Sequence, residues 1–507
     1  MKLNRVFIAL AALTLSMGSI AHNAAATDTT TKTTTTESLL IRNVHIVTAD
    51  TVRPNHASAQ VSKRPLNVLI KDERIVAIGT QTFTADKTID GTGQYLIPGL
   101  IDTHVHLLDV PGLTDVAPDI RQQAEAQIPK SYLYAGFTTL LDLANTGEFI
   151  ARWNRQPLAP EAFFCTPVLI PKGYPLAMMP EDSAQAHDSS RHLLHDHHTH
   201  STADHNTDTH TPAELVEAGK KEGARCVKLF YEKGFGRMKN LPVPSEQIAR
   251  ELVAVAHDHK LPVFLHGNSY ASYEFALATG VDMIVHGLWN ADANITRVEL
   301  NGIATRLAKA GIAVQPTIQV IYGEQEIFNP QFFAQPLVKN LMPKSLRDWY
   351  QSDAGQWMKK QMGEHFAEHK NLSDEQIYQQ AKAAYQPLLQ RASRVSSQLQ
   401  KQKPLLVFGS DTPSGPFYTQ FPGLNGRKEM DHWMQMGISL PDLFRAMTIN
   451  NAQRMGLENE IGSVEKNKIA NLLLLGKNPL EDITAYDSIN WIILKGRAIE
   501  RETLTAQ

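Results

Sequence analysis

The segment Asp102-Thr103-His104-Val105-His106 carries the clearest chemical pattern in the chain. Residues two apart on a strand face the same way, so His104 and His106 project together from one side. Two imidazoles on one face chelate a borderline cation such as zinc. Asp102 shares their parity and reads as a buried strut rather than as a group holding the ligands in orientation. Three more candidates end apolar runs: His266 after Phe264-Leu265, His286 after Ile284-Val285, and Asp411 after Val407-Phe408 and Gly409-Ser410. Gly267 and Gly287, directly after the two histidines, leave room around them. Lys228 sits inside the apolar run Val227–Phe230, where an ammonium is costly and needs a partner or a task. Taken singly, each could be a satisfied core residue. Their recurrence at the ends of successive apolar runs points to one site. Tyr231, just beyond Lys228, is placed either to hydrogen-bond a substrate carboxylate or simply to pack.

Two other patterns compete with this one. His365 and His369 fit H-x-x-E-H and lie one helical turn apart, but their surroundings are polar and no third ligand is evident. We read them as part of a solvated helix. Residues 187–210 hold eight histidines among Asp, Ser and Thr, without periodicity. A floppy loop that binds metal weakly accounts for them better than a specific site.

The elements that must position these groups are set by the apolar pattern. Eight runs recur with helical stretches between them: 100–105, 138–143, 164–170, 226–230, 263–265, 283–285, 312–315 and 405–408. Strands alternating with helices predict a parallel sheet, and eight strands close a (β/α)₈ barrel, a TIM-like α/β fold with its site at the C-terminal strand ends. Helical residues between 324 and 400, with Ser373 and Gln376 spaced as a capping box, predict a lid beyond the seventh strand. Alternating runs at 38–47, 66–70, 74–78, 471–475 and 490–494 predict a small β-sandwich domain built from both ends of the chain, residues 38–97 plus 452–507, around a barrel at 98–451.

Ahead of these, Lys2 and Arg5 precede an apolar run from Val6 to Met17 and the small residues before Ala21, the order of a secretory signal cleaved after Ala21 or Ala26. The Thr-rich stretch beyond it, through residue 37, is expected to be a disordered spacer. The chain is therefore expected to be exported, periplasmic or secreted. Export permits a disulfide, yet Cys165 and Cys226, the only two cysteines, fall in apolar strands and read as buried free thiols. Lys and Arg total 49 against 52 Asp and Glu, which excludes nucleic-acid binding through bulk charge.

Ile97-Pro-Gly-Leu-Ile-Asp-Thr-His-Val-His106 resembles the first-strand metal motif of the amidohydrolase superfamily, in particular its imidazolonepropionase-like and prolidase-like branch. Gly136-Phe-Thr-Thr139, Thr448-Ile-Asn-Asn-Ala452, Gly462-Ser-Val and Asn478-Pro-Leu are similar to its second strand and closing segment. Ala470-Asn471 departs from the more usual Ala-Asp, away from the site. The resemblance implies that His104 and His106 hold one metal, that His266 and His286 hold a second, and that Lys228, carbamylated, bridges them. It further implies that Asp411 is both ligand and proton shuttle.

These residues and the resemblance together predict a hydrolase with two divalent cations, zinc above all, cleaving an amide C–N bond of a dipeptide or N-acyl amino acid through a metal-activated hydroxide. A mononuclear cyclic-amide hydrolase or lactonase is the alternative, with Lys228 structural and His286 polarising the substrate. A periplasmic metal buffer acting through the His-rich insert is the alternative outside enzymes. No nucleic-acid partner and no membrane span after signal cleavage are expected, and a homo-oligomer is compatible with the sequence.

Overall fold

A computed structural model of the chain describes residues 37–49, 59–107, 110–114, 116–178, 192–196, 210–235, 238–290, 295–364, 372–401 and 406–507. The segment expected to be a secretory signal, most of the His-rich insert and the His365–His369 pair lie outside these residues.

Both ends of the chain build one nine-stranded mixed sheet. Its strands are β1 (Leu39–Ala49), β2 (Ala59–Val61), β3 (Leu66–Lys71), β4 (Arg74–Gly79), β5 (Lys87–Asp90), β6 (Tyr95–Pro98), and, from the far end, β14 (Leu472–Leu475), β15 (Ile489–Leu494) and β16 (Arg497–Glu500). β1 is shared by two halves. Its first residues pair with β3 and β5; after a register shift at Asn43, where φ is 56°, its later ones pair with β6. Leu39, Ile41, Val68, Leu96, Leu472 and Ile493 from both halves meet in one core. The run Leu472–Leu475 is buried on both faces, and its period of two shows why. Leu472 and Leu474 face that core, whereas Leu473 and Leu475 join the main core of the barrel.

The barrel strands β7 (Leu100–Val105), β8 (Phe137–Asp142), β9 (Glu161–Val168), β10 (Cys226–Phe230), β11 (Val263–His266), β12 (Met283–Val285) and β13 (Ala313–Gln315) lie side by side in chain order, all parallel. Residues 406–412 take the eighth place. Leu406 bridges Val314 and Thr412 bridges Val105, so the ring closes between β13 and β7. Asn451 locks the closure: its amide donates to the carbonyls of Ile101 and Phe408, both at 2.8 Å. Helices cover the outside, for example Glu246–Asp258, capped by Ser245 and burying Ile248, Leu252, Val253 and Ala256.

Inside the barrel, Leu141, Cys165, Cys226, Phe264, Met283, Ala313 and Val407 form one layer, closed from below by Ala452 and Met455. The expectation of two free thiols is overturned here, because Cys165 and Cys226 form a disulfide. Within its own strand each cysteine shows only that it is buried. The pairing of β9 with β10 is what sets them opposite one another, 4.4 Å apart at Cα.

The helical insert begins earlier than expected, at Gln319, and includes helices at Pro336–Leu341, Lys344–Gln351, Trp357–Gly363 and Asp374–Lys401. The capping box is present: Ser373 N donates to Gln376 Oε1 at 2.8 Å, and Gln376 N donates to Ser373 Oγ at 3.3 Å. The insert holds down two strand-end loops. Trp357 Nε1 donates to the Gly112 carbonyl beyond β7, and Arg391 Nη1 donates to the Trp289 carbonyl beyond β12, each at 3.0 Å. Among the described residues no helix is long and apolar enough to cross a membrane.

Candidate active site

One layer above the apolar filling, the inward rows turn polar. Lys228 stands two residues past Cys226, His266 two past Phe264, and Gln315 two past Ala313. The strand period thus delivers them into the barrel mouth. His104, Lys228, His266, His286 and Asp411 are all buried, and His106 is nearly so.

Asp411 Oδ1 lies 3.1 Å from Nε2 of both His104 and His106. Its Oδ2 is 3.7 Å from His286 Nδ1. On the other side, His286 Nε2 and His266 Nδ1 face each other at 2.9 Å. Among the described residues, His104, His286 and Asp411 offer ligand atoms that all lie within 4.8 Å of one another. Burial holds the imidazoles of His104 and His286 well below the usual histidine range, and it lowers that of His266. Neutral rings keep a lone pair for a cation. Burial also pulls the Lys228 amine down to about 7, with the Asp411 charge opposing.

The backbone is bent to make this arrangement. His286, Thr317 and Asp411 have φ of 107°, 44° and 54°, a region that costs a non-glycine residue roughly 1–3 kcal/mol and persists only where the surroundings enforce it. Two such constraints are visible. Glu429 accepts from the backbone N–H groups of Ile318 and Gln319, which fixes the loop carrying Thr317. Asp102 accepts from Ser410 N, Ser410 Oγ and His104 N, tying β7 to the closing segment. It is a strut, as its parity with the histidines allowed, and burial pushes its carboxyl up to about 7.

Several partners are not apparent from the sequence. Gln315 Oε1 meets His104 Nδ1 at 2.9 Å, and Thr317 Oγ1 meets His286 Nδ1 at 2.8 Å. Gly409 is required by Gln315, since a Cβ there would stand 2.2 Å from its amide nitrogen. Glu232 Oε2 faces His266 Nε2 at 3.6 Å, and Tyr174 stacks on the His266 ring at 4.5 Å. Gln315 has a signal of the same kind as Lys228, a polar residue closing an apolar strand. Glu232 and Tyr174 lie in loops without periodicity and have none. The Tyr231 ring lies 4.5 Å from that of Phe275, and its N–H donates to the His266 carbonyl.

The model of the amidohydrolase family matches residues 95–323 and 405–499, which take in the barrel and the returning β strands but leave out most of the helical insert. The chain belongs to that family. Among its relatives, this amidohydrolase is 44% identical over 79 residues to a dihydroorotase of Lactobacillus helveticus, a stretch covering 16% of this chain and 17% of that protein. It thus spans about a sixth of the length of the curated relatives it matches. Among solved structures, the ochratoxinase of A. niger superposes with a TM-score of 0.58 at 16% identity, over 92% of this amidohydrolase and 96% of that chain. A Xaa-Pro dipeptidase with methionine bound in its active site superposes with a TM-score of 0.56 at 18% identity, over 91% and 100%. At such identities the likeness is one of fold.

Proposed function

We propose that the chain is an exported metal-dependent hydrolase that cleaves an amide C–N bond, with dipeptides or N-acyl amino acids as its substrates. The observation that carries this reading is the convergence of Asp411 on His104 and His106, beside the facing pair His266 and His286. These donors fit divalent cations. His286 Nε2 and His266 Nδ1, 2.9 Å apart on rings that burial keeps neutral, are donors of the kind a divalent cation takes. His104, His106 and Asp411 would hold one metal, His266 and His286 the other, and Lys228 would span both as a carbamate. The nitrogen-rich ligand set suits zinc.

Metals bound there would supply Lewis acidity, polarising a carbonyl and acidifying water. The residues do the rest. A neutral Lys228 amine can add to carbon dioxide, forming a C–N bond and releasing a proton, and the resulting anion suits a site between two cations. Asp411 accepts the proton of the attacking water and returns it to the departing nitrogen, which leaves poorly as an anion. Thr317 and Gln315 fix which nitrogen of His286 and His104 faces inward. Export is supported by the secretory pattern at the N-terminus and by the Cys165–Cys226 disulfide, a bond that oxidising compartments preserve.

One observation favours a second reading. His104, His286 and Asp411 can hold a single metal among themselves, which fits a mononuclear cyclic-amide hydrolase or lactonase, with His286 polarising the substrate. The zinc-loaded protein should be assayed on dipeptides, N-acyl amino acids, cyclic amides and lactones, with metal counted per chain. Two metals, amide turnover and loss of both in Lys228→Ala, partly restored by short carboxylic acids, are expected. One metal with unmodified Lys228 and turnover of cyclic substrates would replace this proposal by the second.

A further inference from the structure

Of the residues that surround the facing pair His266 and His286, Glu232 is the one whose role the proposed reaction leaves open. It lies beyond β10 at the barrel mouth, two residues past Phe230 and four past Lys228, and is buried to 4% exposure. A carboxylate there needs a reason. Two hydrogen bonds hold it, and a third holds the stretch that carries it. Gly234 N donates to its Oε1 at 2.8 Å, and Asn268 Nδ2 donates to its Oε2 at 3.0 Å. Tyr231 N, one residue back, donates to the His266 carbonyl, which keeps this stretch beside β11. Gly234 has φ of 107°, and a Cβ on it would stand 2.5 Å from the Met238 carbonyl, so the turn that presents its N–H depends on glycine.

The carboxylate so held faces one atom that lacks a hydrogen-bond partner. His266 Nε2 is buried, and Glu232 Oε2 lies 3.6 Å from it. The Tyr174 ring stacks 4.5 Å from that of His266, and the 3.6 Å between Nε2 and the carboxylate lies at the edge of hydrogen-bond reach. An ionised carboxylate only accepts, so the nitrogen facing it is the one that carries hydrogen. In a neutral imidazole the other nitrogen then keeps its lone pair, and that nitrogen, Nδ1, faces His286.

We infer that Glu232 is a positioning residue for the second metal: it takes the Nε2–H of His266, fixes the tautomer and aims Nδ1 at the cation shared with His286. Carboxylates behind a ligating histidine typically contribute about 10–100-fold to metal affinity. The inference rests on the functional reading above. Its test separates the two. Metal-free wild type, Glu232→Ala and Glu232→Gln are titrated with zinc against a chromophoric chelator, and the metal-free proteins are melted in parallel. The expected result is a loss of about 10–100-fold in Glu232→Ala at one of two sites, with the other site and the metal-free melting temperature unchanged. Glu232→Gln, whose carbonyl still accepts, should lose less. The cobalt-loaded variant should show a changed visible spectrum for one ion only. Unchanged zinc affinity in Glu232→Ala, or a parallel fall at both sites with a lowered melting temperature, overturns the inference while wild type binding two metals keeps the functional reading. Wild type that binds no metal through His266 and His286 overturns both.

Discussion

At the scale of single residues, Asp411 carries the heaviest assignment. Its Oδ1 meets two imidazoles, and its backbone stands at a positive φ held by Asn425, whose amide donates to the Ser410 carbonyl. Asp411→Asn keeps the shape and an oxygen toward the histidines but loses the ability to accept a proton. Turnover should fall about 10²–10⁴-fold, the usual worth of a positioned acid–base group. Folding should survive. An amide should suffer more than the ester of the same acid, because an alkoxide leaves without the help an amine needs. Near wild-type rates on both substrates would move the role elsewhere, first to His286.

At the scale of elements, the His-rich insert reads from its composition as a floppy loop, yet its described part is tied in. Leu193 bridges Leu169, and Asp196 accepts from Ser245 N at 2.6 Å and Ser245 Oγ at 3.1 Å, at the start of a barrel helix. Removing residues 197–209 alone should therefore leave tightly bound zinc and turnover intact, as counted by metal analysis and assay. Loss of both with the barrel folded would place the metal in the insert. The helical insert also holds a titrating group. Burial pushes the Glu324 carboxyl, which faces Tyr385, up to about 8 from an ordinary 4.5. A carboxyl whose folded value is raised favours the fold below 4.5, and that contribution is lost as pH rises toward 8, because the folded chain then binds more protons than the unfolded one. Urea unfolding between about pH 5 and 8 should show stability falling with pH by up to about 1.4 kcal/mol per unit from this group. In Glu324→Gln that slope should shrink; an unchanged slope would mean that Glu324 is ionised in the fold.

At the scale of the whole molecule, the disulfide joins strands whose cysteines are 61 residues apart, enclosing the helix Pro212–Glu222 and the insert. Closing a loop of that length is worth about 4 kcal/mol in the chain-entropy account. Reduction should lower the melting temperature clearly, and the Cys165→Ser/Cys226→Ser double variant should match the reduced protein. A melting curve indifferent to reductant would mean that the bond is absent in solution.

How far the sequence reaches is visible strand by strand. The sheet strands and their order are legible because apolar runs of period two, separated by amphipathic helices, have few other ways to bury themselves. The ligand candidates are legible for a related reason: a His, Lys or Asp closing such a run breaks its pattern at a place where a barrel opens. Position along a strand is local information, carried by the residues themselves. What lies across from what is not. The Cys165–Cys226 bond, the meeting of Asp411 with His104 and His106, and the pairing of Gln315 with His104 all join residues of different strands. Glu232 and Thr317 sit in turns, where no periodicity marks a direction, and acquire their partners only when the ring closes. Local pattern and burial are enough to say that a site exists and which strand ends build it. Its pairings, tautomers and supports depend on strand register and on backbone turns at positive φ, and these are set only when the packed barrel has one arrangement left.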